Sequence, residues 1–178
     1  SWAQDSGVEA EVFYANWSLD DAYKKHEIGA ISFQEYCAHL SQTLEVNMSA
    51  ANWRKGWNAL WVGTYGSVIE LLPRLSQNYS LCAFSNTNAT HSESFNHHFG
   101  SALSHFQTIY LSQEVGQRKP SPKAFLTVCE DMGYAPQDVV FLDDTLENVS
   151  GAKEAGLDAY HTQSEAAVAA KLRSLIHI

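Results

Sequence analysis

The stretch Phe141-Leu142-Asp143-Asp144 decides the fold of this chain, because it joins the end of a buried strand to two adjacent carboxylates. The run 138–142, which is apolar from Val139 onward, is typical of a short buried strand, and residues 145–148 resemble the first turn of a helix. In open α/β sheets, ligands bind at the carboxyl ends of the strands. Adjacent carboxylates repel one another and are tolerated where a cation neutralises them. The pair predicts a magnesium site, although an aspartate that caps the following helix explains it equally well.

Composition limits the classes of function. The chain has 178 residues, 45% of them hydrophobic, which suits one domain or a core with a small insert. The net charge of −9 argues against a nucleic-acid surface but leaves room for an anionic small substrate. No apolar run in these residues is long enough to cross a membrane, and we expect no signal peptide. The three cysteines lack CxxC spacing and indicate free thiols, so we expect a cytoplasmic protein.

Residues 1–64 read as helices only and form a candidate cap. A helix is expected over 19–26, with Gly29 as a stop, and Ser32-Phe33-Gln34-Glu35 has the capping-box pattern of the next helix. A further helix carries an aromatic stripe that is more typical of a packed core than of a cofactor site. That stripe consists of Trp53, Trp57, Leu60 and Trp61.

Residues 65–178 alternate between helices and strands. Strands are expected at 80–84, 108–111, 139–142 and 158–160. Helices are expected around residues 68–75 despite Pro73, around 91–99, from Ser121-Pro122 to Gly133, over 146–155 and over 165–175. This alternation predicts a mostly parallel sheet that is covered on both faces.

Two further segments carry candidate chemistry. Ser85 and Asn86 directly follow a predicted strand, where a hydroxyl, an amide and exposed N–H groups can hold phosphate oxygens. Lys119 lies on a loop between Gly116 and Pro120 and offers a compact charge for phosphate or carboxylate. Taken alone, the first segment is also a plain helix cap and the second a solvated basic loop. Their order and their places at strand ends favour a joint phosphate site.

The motifs together resemble the haloacid dehalogenase (HAD) superfamily across essentially the whole chain. Phe84-Ser85-Asn86 is similar to its second motif, Arg118-Lys119-Pro120 to its third, and Phe141-Leu142-Asp143-Asp144 to its fourth. Within the superfamily, the chain most resembles bacterial phosphatases of the α-D-glucose-1-phosphate type and the phosphatase domain of soluble epoxide hydrolase. The resemblance implies an α/β fold: a Rossmannoid parallel sheet core, residues 65–178, with a small N-terminal helical cap, residues 1–64.

The resemblance also implies a mechanism. An aspartate attacks phosphorus and forms an aspartyl-phosphate, a second aspartate serves as acid and base, and Mg²⁺ bridges carboxylates and phosphate. By position, Ser85, Asn86 and Lys119 would bind the phosphoryl group of a small phosphorylated metabolite. Lys119 and Ser85 would thereby assist catalysis. Asp144 would ligate Mg²⁺, and Asp143 would orient Lys119 or the metal's water shell. No nucleic-acid or membrane partner is expected.

The first motif of the family, an apolar strand that ends in Asp-x-Asp, has no counterpart in these residues. Asp5 follows no strand, and Asp20-Asp21 lies inside the cap. The first core strand, which in the family lies between the strands at 80–84 and 139–142, is therefore expected to be missing. A chain that begins about twenty residues after the family's usual start would explain this. We accordingly expect a truncated or inactive hydrolase.

Other functional classes stay open. A non-catalytic phosphate-binding or interaction protein on the same scaffold is the main alternative. A metal-free dehalogenase is disfavoured, because that branch lacks the pair Asp143-Asp144. His91 and His97-His98 lack partners at zinc spacing and are expected to be packing or solvated histidines. His26 and Glu27 could face the site or lie at the surface, so neither is assigned a role.

Overall fold

The computed structural model describes residues 1–176. Its first part is helical, as the sequence predicts. Ser32 and Glu35 form the expected capping box at the start of α4. The helix with the aromatic stripe ends at Trp57 and not beyond Leu60, because Asn58 caps it and Leu60 is half exposed, with little packing to extend the helix. These helices are α1 (Trp2–Ser6), α2 (Ala10–Asn16), α3 (Asp21–Glu27), α4 (Phe33–Thr43) and α5 (Ala50–Trp57).

The five helices pack around an aromatic cluster. Trp53 and Trp57 are buried at its centre together with Tyr36, which confirms the core assignment for these two residues of the stripe, whereas Leu60 and Trp61 lie outside this cluster. Trp2 packs against Trp53 and Trp57, with ring centroids 5.0 and 6.0 Å away. Helices α1 to α5 therefore have a hydrophobic core of their own.

The second part alternates between helices and strands. The sequence predicts one helical face that continues across Pro73, and this prediction is wrong because the structure has two short helices there. Pro73 lies at the start of the second of two short helices, where its missing N–H is tolerated but cannot continue the first. The elements are α6 (Gly66–Ile69), α7 (Leu72–Leu75), β1 (Cys82–Ser85), α8 (Ala89–Leu103), β2 (Thr108–Leu111), α9 (Ser112–Val115), α10 (Pro122–Met132), a 3₁₀ turn (Pro136–Asp138), β3 (Val140–Asp143), α11 (Leu146–Glu154), β4 (Asp158–His161) and α12 (Glu165–Leu175).

The four strands form two parallel pairs. β1 pairs with β2 from Cys82 opposite Thr108, and β3 pairs with β4 from Val140 opposite Asp158. Within residues 1–176, β1 and β3 share no ladder, so the sheet is interrupted between them. The interruption lies where the sequence predicts a missing strand.

Two hydrophobic clusters cover the opposite faces of these strands. On one face, Phe125 of α10 contacts both Phe84 of β1 and Phe141 of β3. On the other face, Leu81 and Leu142 pack in one cluster with α6, α7 and α12. The parallel strands with helices on both faces confirm the predicted α/β class. No helix among the described residues is long and apolar enough to cross a membrane.

Candidate active site

The carboxyl ends of β1 and β3 carry most of the predicted site residues. Ser85 is the last residue of β1 and Asn86 follows it, while Asp143 ends β3 and Asp144 follows that strand. Lys119 reaches these ends from the loop between α9 and α10. The structure thus brings three motifs, far apart in sequence, to one edge.

Lys119 is the link between the two strand pairs. Its Nζ donates to the main-chain oxygen of Phe84 at 2.8 Å and to Oδ2 of Asp143 at 2.7 Å. The side chains of Lys119 and Asp143 are 9% and 7% exposed, so the ion pair is buried. The ammonium also lies 5.5 Å from the Phe84 ring centre and 5.4 Å from that of Phe141. A buried charge is thereby held at a defined point between β1 and β3.

Asn86 holds the main chain of Lys119. Its Nδ2 donates to the Lys119 oxygen and its Oδ1 accepts from the Lys119 N–H, both at 2.9 Å. The Asn86 side chain is therefore committed to positioning Lys119, a role that its place after a strand did not indicate. Gly151 of α11 completes the support, because its missing side chain lets the helix lie against the Pro120 oxygen. A Cβ there would come within 1.8 Å of that oxygen.

Asp143 and Asp144 point to different surroundings. Asp143 accepts from Lys119, from the Thr145 N–H at 2.9 Å and from Asn148 Nδ2 at 3.0 Å. Burial opposes ionisation of Asp143, but the adjacent ammonium and these hydrogen bonds hold its pKa below the ordinary value. Asp144 is exposed, and among residues 1–176 its carboxylate is approached only by the Thr145 hydroxyl, at 3.4 Å. Asp144 thus presents an accessible carboxylate beside a structurally committed one.

These residues meet only part of the coordination requirements of Mg²⁺. Mg²⁺ usually keeps several waters and binds one or two protein carboxylates. Asp144 can supply an accessible oxygen, whereas the Asp143 oxygens are already engaged. Among residues 1–176, no three His, Cys, Asp or Glu side chains come together as a possible metal group.

The remaining candidate carboxylates lie away from Lys119. Asp5 in α1 accepts from Lys55 at 2.7 Å, and Asp20 caps α3 while contacting His39. Asp21 pairs loosely with Lys24 at the surface of α3. Within the described residues, Asp143 and Asp144 are therefore the acidic groups that the sheet places at the site edge.

The helical first part of the chain contacts the second part beside this site, through residues that sequence analysis left without a role. Glu27 is 2% exposed, and its carboxylate accepts from Arg118 Nε at 2.7 Å and from the Tyr23 hydroxyl at 2.8 Å. The hydroxyl of Ser112, which is fully buried, donates to the main-chain oxygen of Glu27 and accepts from the Thr87 N–H. The pairing of Arg118 with Glu27 thus ties the cap to the residue before Lys119.

Two histidines lie at the same contact, His26 buried and His91 partly buried. His91 stacks on Trp57 with ring centroids 5.0 Å apart, and its Nε2 lies 2.9 Å from the Trp57 oxygen. Burial lowers the pKa of His91 to about 4. Burial also lowers the pKa of His26, whose Nε2 has no hydrogen-bond partner among the described residues. These groups pack in the uncharged form.

A family model for haloacid dehalogenase-like hydrolases matches residues 10–161. A glyceraldehyde 3-phosphate phosphatase of Methanopyrus kandleri is 34% identical over 62 residues, which cover 34% of this chain and 24% of that protein. The chain thus spans about a quarter of the length of this relative. A D-ribitol-5-phosphate phosphatase of Bacteroides thetaiotaomicron is 22% identical over 149 residues, 81% of this chain and 72% of that protein.

A solved structure has the same architecture. It is an aspartate-to-alanine mutant of a HAD family enzyme from Bacteroides thetaiotaomicron, in complex with magnesium and inorganic phosphate. Its sequence is 25% identical to this chain and the TM-score is 0.71, with 85% of this chain and 83% of the other covered. The likeness extends over cap and core together.

Proposed function

Since the chain belongs to the haloacid dehalogenase-like hydrolase family, we propose that it is the scaffold of a magnesium-dependent phosphatase for a small phosphomonoester such as a sugar phosphate. The observation that carries this proposal is the buried Lys119 ammonium, which is held at the shared end of β1 and β3 beside Asp143. Relatives that hydrolyse glyceraldehyde 3-phosphate and D-ribitol 5-phosphate by name support the substrate class.

Each residue has a proposed task. The Ser85 hydroxyl and the main-chain N–H of Asn86 bind phosphate oxygens, and Lys119 neutralises their charge. Asn86 keeps Lys119 in place through its two main-chain hydrogen bonds. Asp144 holds Mg²⁺ and Asp143 orients Lys119. When bound, Mg²⁺ supplies charge stabilisation for the phosphoryl group.

The nucleophile is the part that these residues do not supply. Asp143 is engaged by Lys119, Thr145 and Asn148, and Asp144 is assigned to the metal. Formation of an aspartyl-phosphate requires a further carboxylate that faces Lys119. We therefore expect the 178 residues by themselves to bind phosphate without hydrolysing its esters. A non-catalytic phosphate-binding or interaction protein is the alternative that the same observation favours.

Binding of inorganic phosphate and Mg²⁺ tests the proposal without requiring turnover. Isothermal titration of the chain with phosphate in the presence of Mg²⁺ should show saturable binding. Ser85→Ala and Lys119→Met should each weaken phosphate binding at least tenfold, and Asp144→Asn should abolish the Mg²⁺ dependence. Lys55→Met, at the distant pair with Asp5, is the matched control and should bind as the parent does. Equal binding by all variants would refute the site.

The place of the protein in the cell is inferred from its thiols. Cys37 and Cys129 are buried, Cys82 is partly buried, and all three are free. Free buried thiols are typical of a reducing compartment, which is why we place this protein in the cytoplasm.

A further inference from the structure

A cleft between α3 and the loop after α9 gathers positively charged side chains. Its volume is about 320 Å³, at the lower end of the range for small-molecule sites. Among the described residues that line it, Lys24, Lys25 and Arg118 are cationic and Asp21 is acidic. Even when Glu27, the partner of Arg118, is counted, the cations outnumber the carboxylates by one. The cleft is therefore locally positive on a chain whose net charge is −9.

This cleft is separate from the candidate active site. α3 turns Tyr23 and His26 toward the aromatic cluster, with ring centroids 6.0 and 6.3 Å from that of Trp57. With 3.6 residues per turn, the residues of α3 that line the cleft lie on the opposite face of the helix. Among the described residues, those proposed to bind phosphate or Mg²⁺ are absent from its lining. A ligand in this cleft would therefore not compete with phosphate at Lys119.

Arg118 presents a fixed guanidinium to the cleft. Its Nε donates to the buried Glu27 carboxylate at 2.7 Å, and this contact orients the plane of the group. A guanidinium has five N–H donors, and within residues 1–176 the four on the terminal nitrogens of Arg118 have no acceptor. Glu27 thus offsets the charge of Arg118 but leaves most of its donors free. Such donors suit two parallel hydrogen bonds to one carboxylate.

The two lysines line the wall that α3 contributes. Lys24 approaches Asp21 only loosely, at 3.8 Å, and both side chains are at least half exposed. Lys25 is exposed and forms no ion pair in the part of the chain that the structure describes. Lysines in the last turn of a helix interact favourably with its dipole, which accounts for their presence in α3. The dipole does not account for the guanidinium that lines the same cleft from the loop.

The loop adds further hydrogen-bond donors to the cleft lining. α9 ends at Gly116, and the main-chain N–H groups of the next two residues, Gln117 and Arg118, have no acceptor among residues 1–176. Ser121 is exposed, and its side chain caps no N–H of α10. All four residues line the cleft. A lining that combines cations with unpaired N–H and O–H donors favours a ligand with several negatively charged oxygens.

We propose that this cleft binds a small organic acid with two or three carboxylates. One carboxylate pairs with the terminal nitrogens of Arg118, and another pairs with Lys24 and Lys25 of α3. Because both walls supply cations, separated charged groups suit the cleft better than one compact ion. Ile28 and the methylene stems of the lysines supply apolar surface for the carbon skeleton. The bound acid joins α3 to the loop that presents Lys119, and this role does not depend on phosphatase activity.

Isothermal titration of the whole chain with citrate, without Mg²⁺ and at constant ionic strength, tests the proposal. We expect one citrate to bind per chain. The double variant Lys24→Met/Lys25→Met should weaken citrate binding at least tenfold, because it removes the cations of one wall. The double variant Arg74→Met/Lys153→Met is the matched control, since it removes the same charge from exposed positions on α7 and α11. The control should bind citrate as the parent chain does.

Two-dimensional NMR locates the bound citrate on the chain. The amide resonances of Lys25, Gln117 and Arg118 should shift on titration, whereas those of Ser85 and Asp144 should stay in place. The proposal is wrong if the α3 double variant binds citrate as the parent does, if the control variant loses as much affinity, or if the shifts appear at Ser85 instead. Equally tight binding of acetate would also overturn it, because a single carboxylate would then suffice.

Discussion

At the scale of single residues, Lys119 supplies the buried cation of the candidate site and also connects the two strand pairs. Its ammonium is buried with Asp143 and receives additional support from the Phe84 oxygen. A buried ion pair adds little net stability compared with apolar residues, but removal of one partner leaves an uncompensated charge. Removal of the Lys119 ammonium should therefore lower the free energy of unfolding far more than removal of a surface lysine.

We expect Lys119→Met to lower the free energy of unfolding by about 3–5 kcal/mol, measured by urea denaturation. Lys55→Met is the matched control, because Lys55 pairs with Asp5 at 2.7 Å but is 61% exposed, and it should cost about 1 kcal/mol or less. Addition of Asp143→Asn to Lys119→Met should restore part of the loss. Equal costs for the two lysines would show that the Lys119 pair is not buried.

His91 should make stability depend on pH. Burial lowers its pKa to about 4 in the folded chain, against about 6.5 when unfolded. The unfolded chain then binds the proton more readily, so the stability present above pH 6.5 is lost as the pH falls toward 4. Over this pH range the free energy of unfolding falls by about 3 kcal/mol. In His91→Phe, which keeps a ring beside Trp57, urea unfolding at several pH values should show a correspondingly smaller loss. Identical profiles would contradict this.

At the scale of elements, the loop that presents Lys119 depends on its contact with α11. Gly151 is buried in that helix, and a Cβ at this position would meet the Pro120 oxygen at 1.8 Å. Because the nearest atom belongs to the backbone, it cannot turn aside as a flexible side chain could. The helix and the loop must separate if Gly151 gains a side chain.

Gly151→Ala should therefore destabilise the chain by about 2 kcal/mol or more in urea unfolding. Gly100→Ala in α8 is the matched control, since a Cβ there would meet nothing within 4 Å. That change should be neutral or stabilise the chain by about 0.5–1 kcal/mol, because alanine favours the helix. Equal effects of the two changes would show that α11 does not lie against the Lys119 loop.

Local signals in the sequence predicted the elements to different degrees. The capping box at Ser32 and Glu35, and Gly133 after α10, marked helix ends correctly because short-range hydrogen bonds and backbone conformation decide them. Pro73 was misjudged, because the apolar spacing across it was given more weight than its missing N–H, which interrupts one helix and is tolerated at the start of the next. The pairing of Glu27 with Arg118 joins residues 91 positions apart, and no local pattern could indicate it.

At the scale of the whole molecule, the family motifs predicted which residues meet, and the structure adds how they meet. Asp143 and Lys119 were expected together and lie 2.7 Å apart. Asn86 was expected to bind phosphate, which stays a prediction, and the structure shows that its side chain holds the main chain of Lys119. Which strands pair with one another could be assigned only from the structure, in which, over the described residues, β1 and β3 share no ladder.

We propose above all that these residues bind the phosphate and the metal ion of a phosphatase but do not include its nucleophile. Turnover of p-nitrophenyl phosphate with Mg²⁺ tests it most directly, in a preparation whose folding is verified by saturable phosphate binding. We predict no turnover above that of the Asp144→Asn variant. Clear turnover by the parent chain that Asp144→Asn abolishes would contradict the account, because it would reveal a nucleophile within these 178 residues.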